Sequence, residues 1–299
     1  MQIEQITWTP DGTREPPDGG GPGDAGLVLL FGSRERVADV RCWERVRARY
    51  PRARVVGCST AGEIAGTRVL DDTVVTTAVA FAQTEVRVGR VSLHAHSCSR
   101  DAGRALAGSL DPEGLVHVLV LSDGLRVNGT DLVQGLSERL PPGIAATGGL
   151  SADGSRFERT LVGVDGEAEE GMVAAVGFYG SRLRVGYGSL GGWDPFGPER
   201  VITRSRGNVL YELDGCSALQ LYKRYLGEHA AELPASGLLF PLSLRTAPGE
   251  AGVVRTILAV DEAEQSVTFA GDVPEGAMAR LMKANFERLI DGATGAART

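Results

Sequence analysis

The chain has 299 residues, 42% of them hydrophobic and 23% charged, enough to bury a substantial core in one large or two moderate domains. Its 31 Lys and Arg against 38 Asp and Glu give a formal charge of −7, which disfavours nonspecific attraction to phosphate backbones, so nucleic acid is not an expected partner. Cys42, Cys58, Cys98 and Cys216 are widely spaced in a chain that needs no staples, Met1-Gln2-Ile3-Glu4-Gln5 lacks a signal peptide's basic and apolar regions, and no window reaches membrane-spanning length; the expectation is a cytoplasmic protein with reduced thiols and no direct membrane insertion.

In chain order, residues 1–26 read as a flexible leader, rich in Gly, Pro and Asp from position 10 onward. The first buried strand is Leu27-Val28-Leu29-Leu30-Phe31. Val37, Val40, Trp43, Val46 and Tyr50 recur at helical spacing, with Arg45, Arg47, Arg49, Arg52 and Arg54 around them as a solvated face, and the helix ends before Pro51. Next, Val55 and Val56 run into Gly57-Cys58-Ser59-Thr60-Ala61-Gly62-Glu63, read as a loop built to hold something. Glycine lets backbone approach a ligand closely, and short donors and acceptors sit beside main-chain N–H groups and a carboxylate. Residues 73–81 and 86–93, rich in Val and Thr, read as adjacent strands.

A second copy of this order follows. Residues 116–121 form an apolar strand, Leu132, Val133, Leu136 and Leu140 a helical stripe stopped by Pro141-Pro142, and the next strand enters Gly148-Gly149, followed by Ser151 and Asp153. Gly57 aligns with Gly148, and Arg87-Val88-Gly89 with Arg184-Val185-Gly186, with the difference in spacing taken up near Gly166-Glu167-Ala168-Glu169. Paired about a pseudo-twofold axis, the Cys58 and Gly148-Gly149 loops are expected to face a shared crevice. Asp123 lies just beyond a strand end, where open α/β sheets present ligand-binding groups, and Asn128 either contacts ligand or caps the following helix.

From about residue 201 the pattern changes. Residues 208–213 read as a strand, Asp214 as an N-cap, and Leu219, Leu221, Tyr222, Tyr225 and Leu226 as a helix closed by Gly227. Strands near 238–244, 253–260 and 266–269 precede a last helix with Met278, Leu281, Met282, Leu289 and Ile290 on one face. The expected class is α/β with mixed α+β sheets: a duplicated strand-helix-strand-strand N-terminal domain and a second, smaller α/β domain.

The reactive groups leave alternatives open. Cys58 is a candidate nucleophile, but His94, His96, His117 and His229 belong to no recognised cysteine-hydrolase signature. His94, His96 and Cys98 alternate, a spacing compatible with zinc on one strand face or with plain solvent exposure, and no fourth ligand is evident. Glu63 and Asp153 are either paired acid–base carboxylates or solvated loop ends. No Lys-Ser/Thr pair follows the Gly-rich loop, as a P-loop needs, and no cofactor is expected.

The Val55 to Gly66 stretch resembles the signature loop of the FIST domain, a sensory module of signalling proteins. Leu121-Ser122-Asp123-Gly124 with Asn128-Gly129, Gly148-Gly149-Leu150-Ser151-Ala152-Asp153-Gly154, Phe178-Tyr179-Gly180 and Gly191-Gly192-Trp193-Asp194-Pro195 extend the likeness, and Tyr211-Glu212-Leu213-Asp214-Gly215 and Phe240-Pro241-Leu242 resemble the companion C-terminal FIST segment. The resemblance implies a sensory domain over residues 27–195 and a C-terminal domain over 196–299, incomplete beyond its last helix and open to a complementing chain or oligomer. It also implies a small-molecule ligand such as an amino acid, with the signal passed to a separate output protein. The residues expected at the ligand are Gly57, Cys58, Ser59, Thr60, Gly62, Glu63, Asp123, Asn128, Gly148, Gly149, Ser151 and Asp153. The alternatives are a Cys58-dependent enzyme and a non-sensing interaction scaffold.

Overall fold

A computed structural model describes residues 1–9, 12–14, 21–247 and 252–299. It divides into two compact units, Met1–Val127 with Asp131–Val185, and Asn128–Thr130 with Gly186–Thr299.

In chain order the first unit contains β1 (Gln2–Thr9), β2 (Gly12–Arg14), β3 (Leu27–Gly32), α1 (Arg34–Ala38), α2 (Val40–Arg49), β4 (Arg54–Ser59), β5 (Glu63–Ala65), β6 (Arg68–Leu70), β7 (Val74–Ala80) and β8 (Glu85–Ser92). After these come α3 (Ser99–Gly108), β9 (Leu115–Ser122), α4 (Gly129–Ser137), β10 (Ala145–Leu150), β11 (Val162–Val164), β12 (Ala168–Glu169) and β13 (Met172–Tyr179). One sheet has the order β12-β11-β4-β3-β7-β1-β2 and the other β10-β9-β13-β8. Their inner faces share an apolar layer. Leu27, Val56, Cys58, Val162 and Val164 come from the first sheet, and Leu121, Met172, Ala174, Val176 and Phe178 from the second. Helix α2 covers the outer face of the first sheet, setting Trp43 and Val46 against Val28, Leu30 and Val55. On the second sheet, α3 and α4 set Leu106, Leu132 and Leu136 against Val118, Val120 and Val173. The amphipathic spacing of α2 buries Trp43 and Val46, but the expected single helix is broken at Asp39, which leaves Val37 on α1 and Val40 exposed; Asp39 caps α2 by accepting from Arg41 N at 3.0 Å.

The strand sets β4-β3-β7-β1 and β10-β9-β13-β8 have the same pairing senses: parallel, antiparallel, antiparallel. Equivalent main-chain bonds close both. Ser33 N donates to Thr73 O and Thr60 N to Gly32 O in one set, as Asp123 N does to Met172 O and Ser151 N to Ser122 O in the other. The alignment of Gly57 with Gly148 fits this correspondence. That of residues 87–89 with 184–186 does not, because β8 occupies the place of β1 and residues 184–186 form no strand.

The expected leader is also corrected. Within it, Gln2–Thr9 is a strand paired antiparallel with β7, turning Glu4 and Ile6 inward and Ile3 and Gln5 outward at the two-residue period of a strand. Glu4 is buried because Arg49 Nη2 at 2.8 Å and the Tyr50 hydroxyl satisfy its carboxylate. Residues 10, 11 and 15–20 of that stretch lie outside the described residues.

The second unit contains β14 (Trp193–Pro195), β15 (Arg200–Arg206), β16 (Val209–Leu213), β17 (Cys216–Ser217), α5 (Ala218–Leu226), β18 (Leu242–Arg245), β19 (Val253–Arg255), β20 (Ile257–Asp261), β21 (Ser266–Phe269), β22 (Met278–Ala284) and α6 (Phe286–Ala296). Its sheet runs β19-β18-β22-β15-β16-β21-β20, and α5 buries Leu219, Tyr222 and Leu226 among Leu210, Leu213 and Phe269. Ser217, not Asp214, caps α5; Asp214 sits in a turn at φ 51° and accepts from Val201 N at 2.8 Å. The expected last helix is split. Met278–Ala284 is a strand that buries Ala279 and Leu281 and pairs with β14, β15 and β18, and only α6 is helical, with Phe286 and Ile290 exposed on it. Met, Ala, Leu and Lys favour helices, but three neighbouring strands supply partners that override this preference.

The strand assignment of Met278–Ala284 predicts that Leu281→Ala costs about 3 kcal/mol and Met282→Ala, half-buried on the other face, about 1 kcal/mol or less by urea denaturation. Equal losses would match one helical face instead.

Candidate functional site

Of the residues singled out in the sequence, Cys58, Ser59, Glu63, Asp123, Ser151 and Asp153 are buried, whereas Gly148 and Gly149 are exposed. Gly57 and Cys58 lie within β4, between β3 and β11, rather than in a loop. A Cβ on Gly57 would stand 2.3 Å from Leu30 O, so glycine here permits close strand approach. Ser59 N donates to Leu161 O and Thr60 N to Gly32 O, both at 2.9 Å, and Ser59 Oγ accepts from Leu161 N at 2.9 Å. The expected meeting of the two Gly-rich segments does occur, through Ala152 N to Ser59 O at 2.9 Å. The open hollow around Cys58 does not, because neighbouring main chain already takes these groups. Burial pushes the Cys58 thiol up to about 12, favouring the neutral thiol over the thiolate.

The three expected ligand carboxylates are buried and fully engaged. Asp123 accepts from Leu125 N, Arg126 N and Gly171 N at 2.8–2.9 Å. Asp153 accepts from the N–H groups of Phe157, Glu158 and Arg159 at 2.9–3.1 Å and pairs with Arg34 at 3.2 Å. Glu63 accepts from Thr60 Oγ1 at 2.6 Å and from Thr73 Oγ1 and N at 2.7 and 3.3 Å. Each is a buried carboxylate that gathers donors around a strand end, and two or three such donors already occupy it. Ser151 is buried, its N and Oγ both bonded to Ser122 O. Asn128 falls to its capping alternative: Oδ1 accepts from Thr130 N at 3.1 Å, and Nδ2 donates to Asp272 at 2.6 Å. Gly62, at φ 148°, opens the turn into β5, while Gly148 and Gly149 are exposed on β10.

The zinc alternative also loses its geometry. The strand ends at Ser92, residues 93–95 form a short 3₁₀ turn, and no metal-holding group of His, Cys, Asp or Glu occurs among the described residues.

Sequence reading missed a depression of about 440 Å³ lined by Arg54, Val88, Arg90, Val164, Asp165, Gly166, Glu167 and Glu169. Val88 and Val164, which belong to the apolar layer between the sheets, supply its apolar lining. The turn from β11 to β12 is fixed by Asp165, at φ 56°, whose carboxylate takes Arg54 at 2.7 Å and Val55 N at 2.8 Å. Among the described residues the side chains of Arg90, Glu167 and Glu169 make no ion pair or hydrogen bond. They are the uncommitted charges of the depression, one cation facing two anions. Their residues come from β8 and the β11–β12 turn, and no short motif signals them; the turn itself was visible only as a spacing difference. A second depression of about 400 Å³ is lined by Trp8, Thr9, Arg36, Asp39, Arg41, Cys42, Arg45 and Val74. There Arg41 pairs with Asp39 at 2.9 Å, Arg45 lies over the Trp8 ring, and burial pushes the Cys42 thiol up to about 11.

The family model described as the FIST N domain matches residues 26–216, and that described as the FIST C domain matches residues 218–299. The chain belongs to the FIST family. FIST domains are sensory domains of signal transduction, and the mixed sheets here carry that role on an α+β framework. No curated protein matches the chain. No helix among the described residues of this FIST protein is long and apolar enough to cross a membrane.

Two measurements separate framework from site. Asp123→Ala, which leaves the N–H groups of Leu125, Arg126 and buried Gly171 without their acceptor, is expected to cost about 2 kcal/mol in urea denaturation, against under about 0.5 kcal/mol for Arg90→Ala on the surface. A mild thiol reagent at pH 8 should modify exposed Cys98 and Cys216 quickly, Cys42 slowly, and Cys58 only on unfolding; prompt native labelling of Cys58 would contradict its burial.

Proposed function

We propose that this FIST protein senses a small zwitterionic solute of the amino-acid class in the depression between β8 and the β11–β12 turn. The single observation carrying this reading is the set of uncommitted charges there. Arg90 offers a planar donor fork to a carboxylate, Glu167 and Glu169 offer acceptors to an ammonium group, and Val88 and Val164 give an aliphatic stem apolar contact. The volume suits a molecule of that size, and the second unpaired carboxylate favours a ligand with an additional positive charge. The matching strand orders and closing hydrogen bonds support an origin of residues 1–185 by internal duplication, a domain placed differently at its start from the 27–195 span read in sequence. Four free cysteines support a reducing, cytoplasmic setting, with the signal passed to a separate output protein.

Isothermal titration against the twenty amino acids is expected to give saturable heat with at least one, strongest for a basic side chain, and weaker at high salt because the charges are exposed. Arg90→Gln should weaken that binding at least about tenfold with an unchanged melting temperature. Silence from every amino acid, with no shift in melting temperature, would remove this ligand class.

A further inference from the structure

The two four-strand sets differ at one edge. In β4, alternate residues aim their main-chain groups away from β3, and antiparallel β11 takes them, with Gly163 opposite Gly57 and Val162 opposite Cys58. In β10, Ser151 N bonds Ser122 O on β9, so Ala146, Gly148 and Leu150 turn their N–H and C=O groups to the opposite side. Among the described residues nothing pairs with that side, and all three are exposed, Leu150 to 37%. Residues 145–150 read Ala-Ala-Thr-Gly-Gly-Leu, with no charge, proline or bulge of the kinds that blunt a free edge. Around Gly149 no atom lies within 4 Å of where a side chain would begin, so an arriving residue meets no obstruction.

We infer that the free edge of β10 binds an extended, uncharged peptide segment of a partner protein by antiparallel strand addition, as β11 binds β4. Main-chain bonds to Ala146, Gly148 and Leu150 supply the attachment, and alternate apolar side chains of the peptide fall beside Thr147 and Gly149, continuing the apolar layer between the sheets. A second copy of this chain is the weaker fit. Two six-residue edges meeting about a twofold axis bury far less than the roughly 1,000 Å² of a stable specific interface, whereas a transient signalling contact with one peptide needs no such area.

The probe is a blocked synthetic peptide of this chain's own residues 160–164, Thr-Leu-Val-Gly-Val, titrated into the full ¹⁵N-labelled protein. Saturable amide shifts at Ala146, Gly148 and Leu150 are expected, with slowed hydrogen exchange there. Methylating the peptide nitrogens of the Leu and Gly, whose main chain faces the edge in the β4 register, should abolish binding, and methylating those of the two Val residues should spare it. Ala146→Pro, which removes only an outward donor, should weaken binding about tenfold; if that variant fails to fold, the methylated pair decides alone. Absence of shifts in residues 145–150 at millimolar peptide, or equal binding of both methylated peptides, overturns the proposal. So does protection of these amides that rises with protein concentration in the absence of peptide, which would assign the edge to a second copy. None of these readouts involves Arg90, so failure of amino-acid binding and failure of strand addition are separately visible.

Discussion

The first unit depends on satisfying main chain where two sheets converge on one apolar layer. Buried N–H groups at strand ends have no water to bond, and each left unpaired costs about 1–3 kcal/mol. Asp123, Asp153 and Glu63 meet this demand, gathering backbone amides and threonine hydroxyls around the ends of β9, β10 and β4. The same carboxylates are thereby withdrawn from ligand chemistry. Uncommitted charges lie instead at another margin of the layer, in the depression lined by Val88 and Val164.

How much of this was legible depends on whether a local pattern had one physical meaning. The stripe Val37, Val40, Trp43, Val46 and Tyr50 marked helical structure, although it spans α1 and α2 and leaves Val40 exposed, and the apolar runs of β3 and β9 marked buried strands. The strand entering Gly57 and the strand entering Gly148 were readable as well. Gly57-Cys58-Ser59-Thr60 had two meanings, since glycines and short hydroxyls serve a ligand loop and a tight strand junction equally well. Only the partners of Ser59 and Thr60 separate the two. Strand β1 was hidden because a buried Glu4 breaks its apolar alternation, and the Arg49 and Tyr50 that make it tolerable are distant in sequence. Strand β22 was hidden because its residues favour a helix locally and become a strand only through the partners they meet.

The charged depression was illegible for a different reason. Arg54, Arg90, Glu167 and Glu169 come from separate strands and a turn, and each alone is an ordinary surface charge. Their significance lies in which of them remain unpaired. Asp165 consumes Arg54 and holds the turn, leaving Arg90 opposite two carboxylates. A frequency pattern along the chain cannot encode such a remainder.

One asymmetry accounts for both open places. The sets β4-β3-β7-β1 and β10-β9-β13-β8 share order and sense, yet only the first carries the segment that forms β11, its turn and β12. That segment closes the edge of β4 through Gly163 and Val162, and its turn then delivers Glu167 and Glu169 beside Arg90. On the second set no equivalent strand covers β10, so Ala146, Gly148 and Leu150 keep their main-chain groups in solvent. Two four-strand sets with the same pairing rules thus present different edges, one covered by an extra segment and one not. The extra segment brings uncommitted charges beside Arg90, and its absence from the other set leaves main-chain groups of β10 unpaired among the described residues.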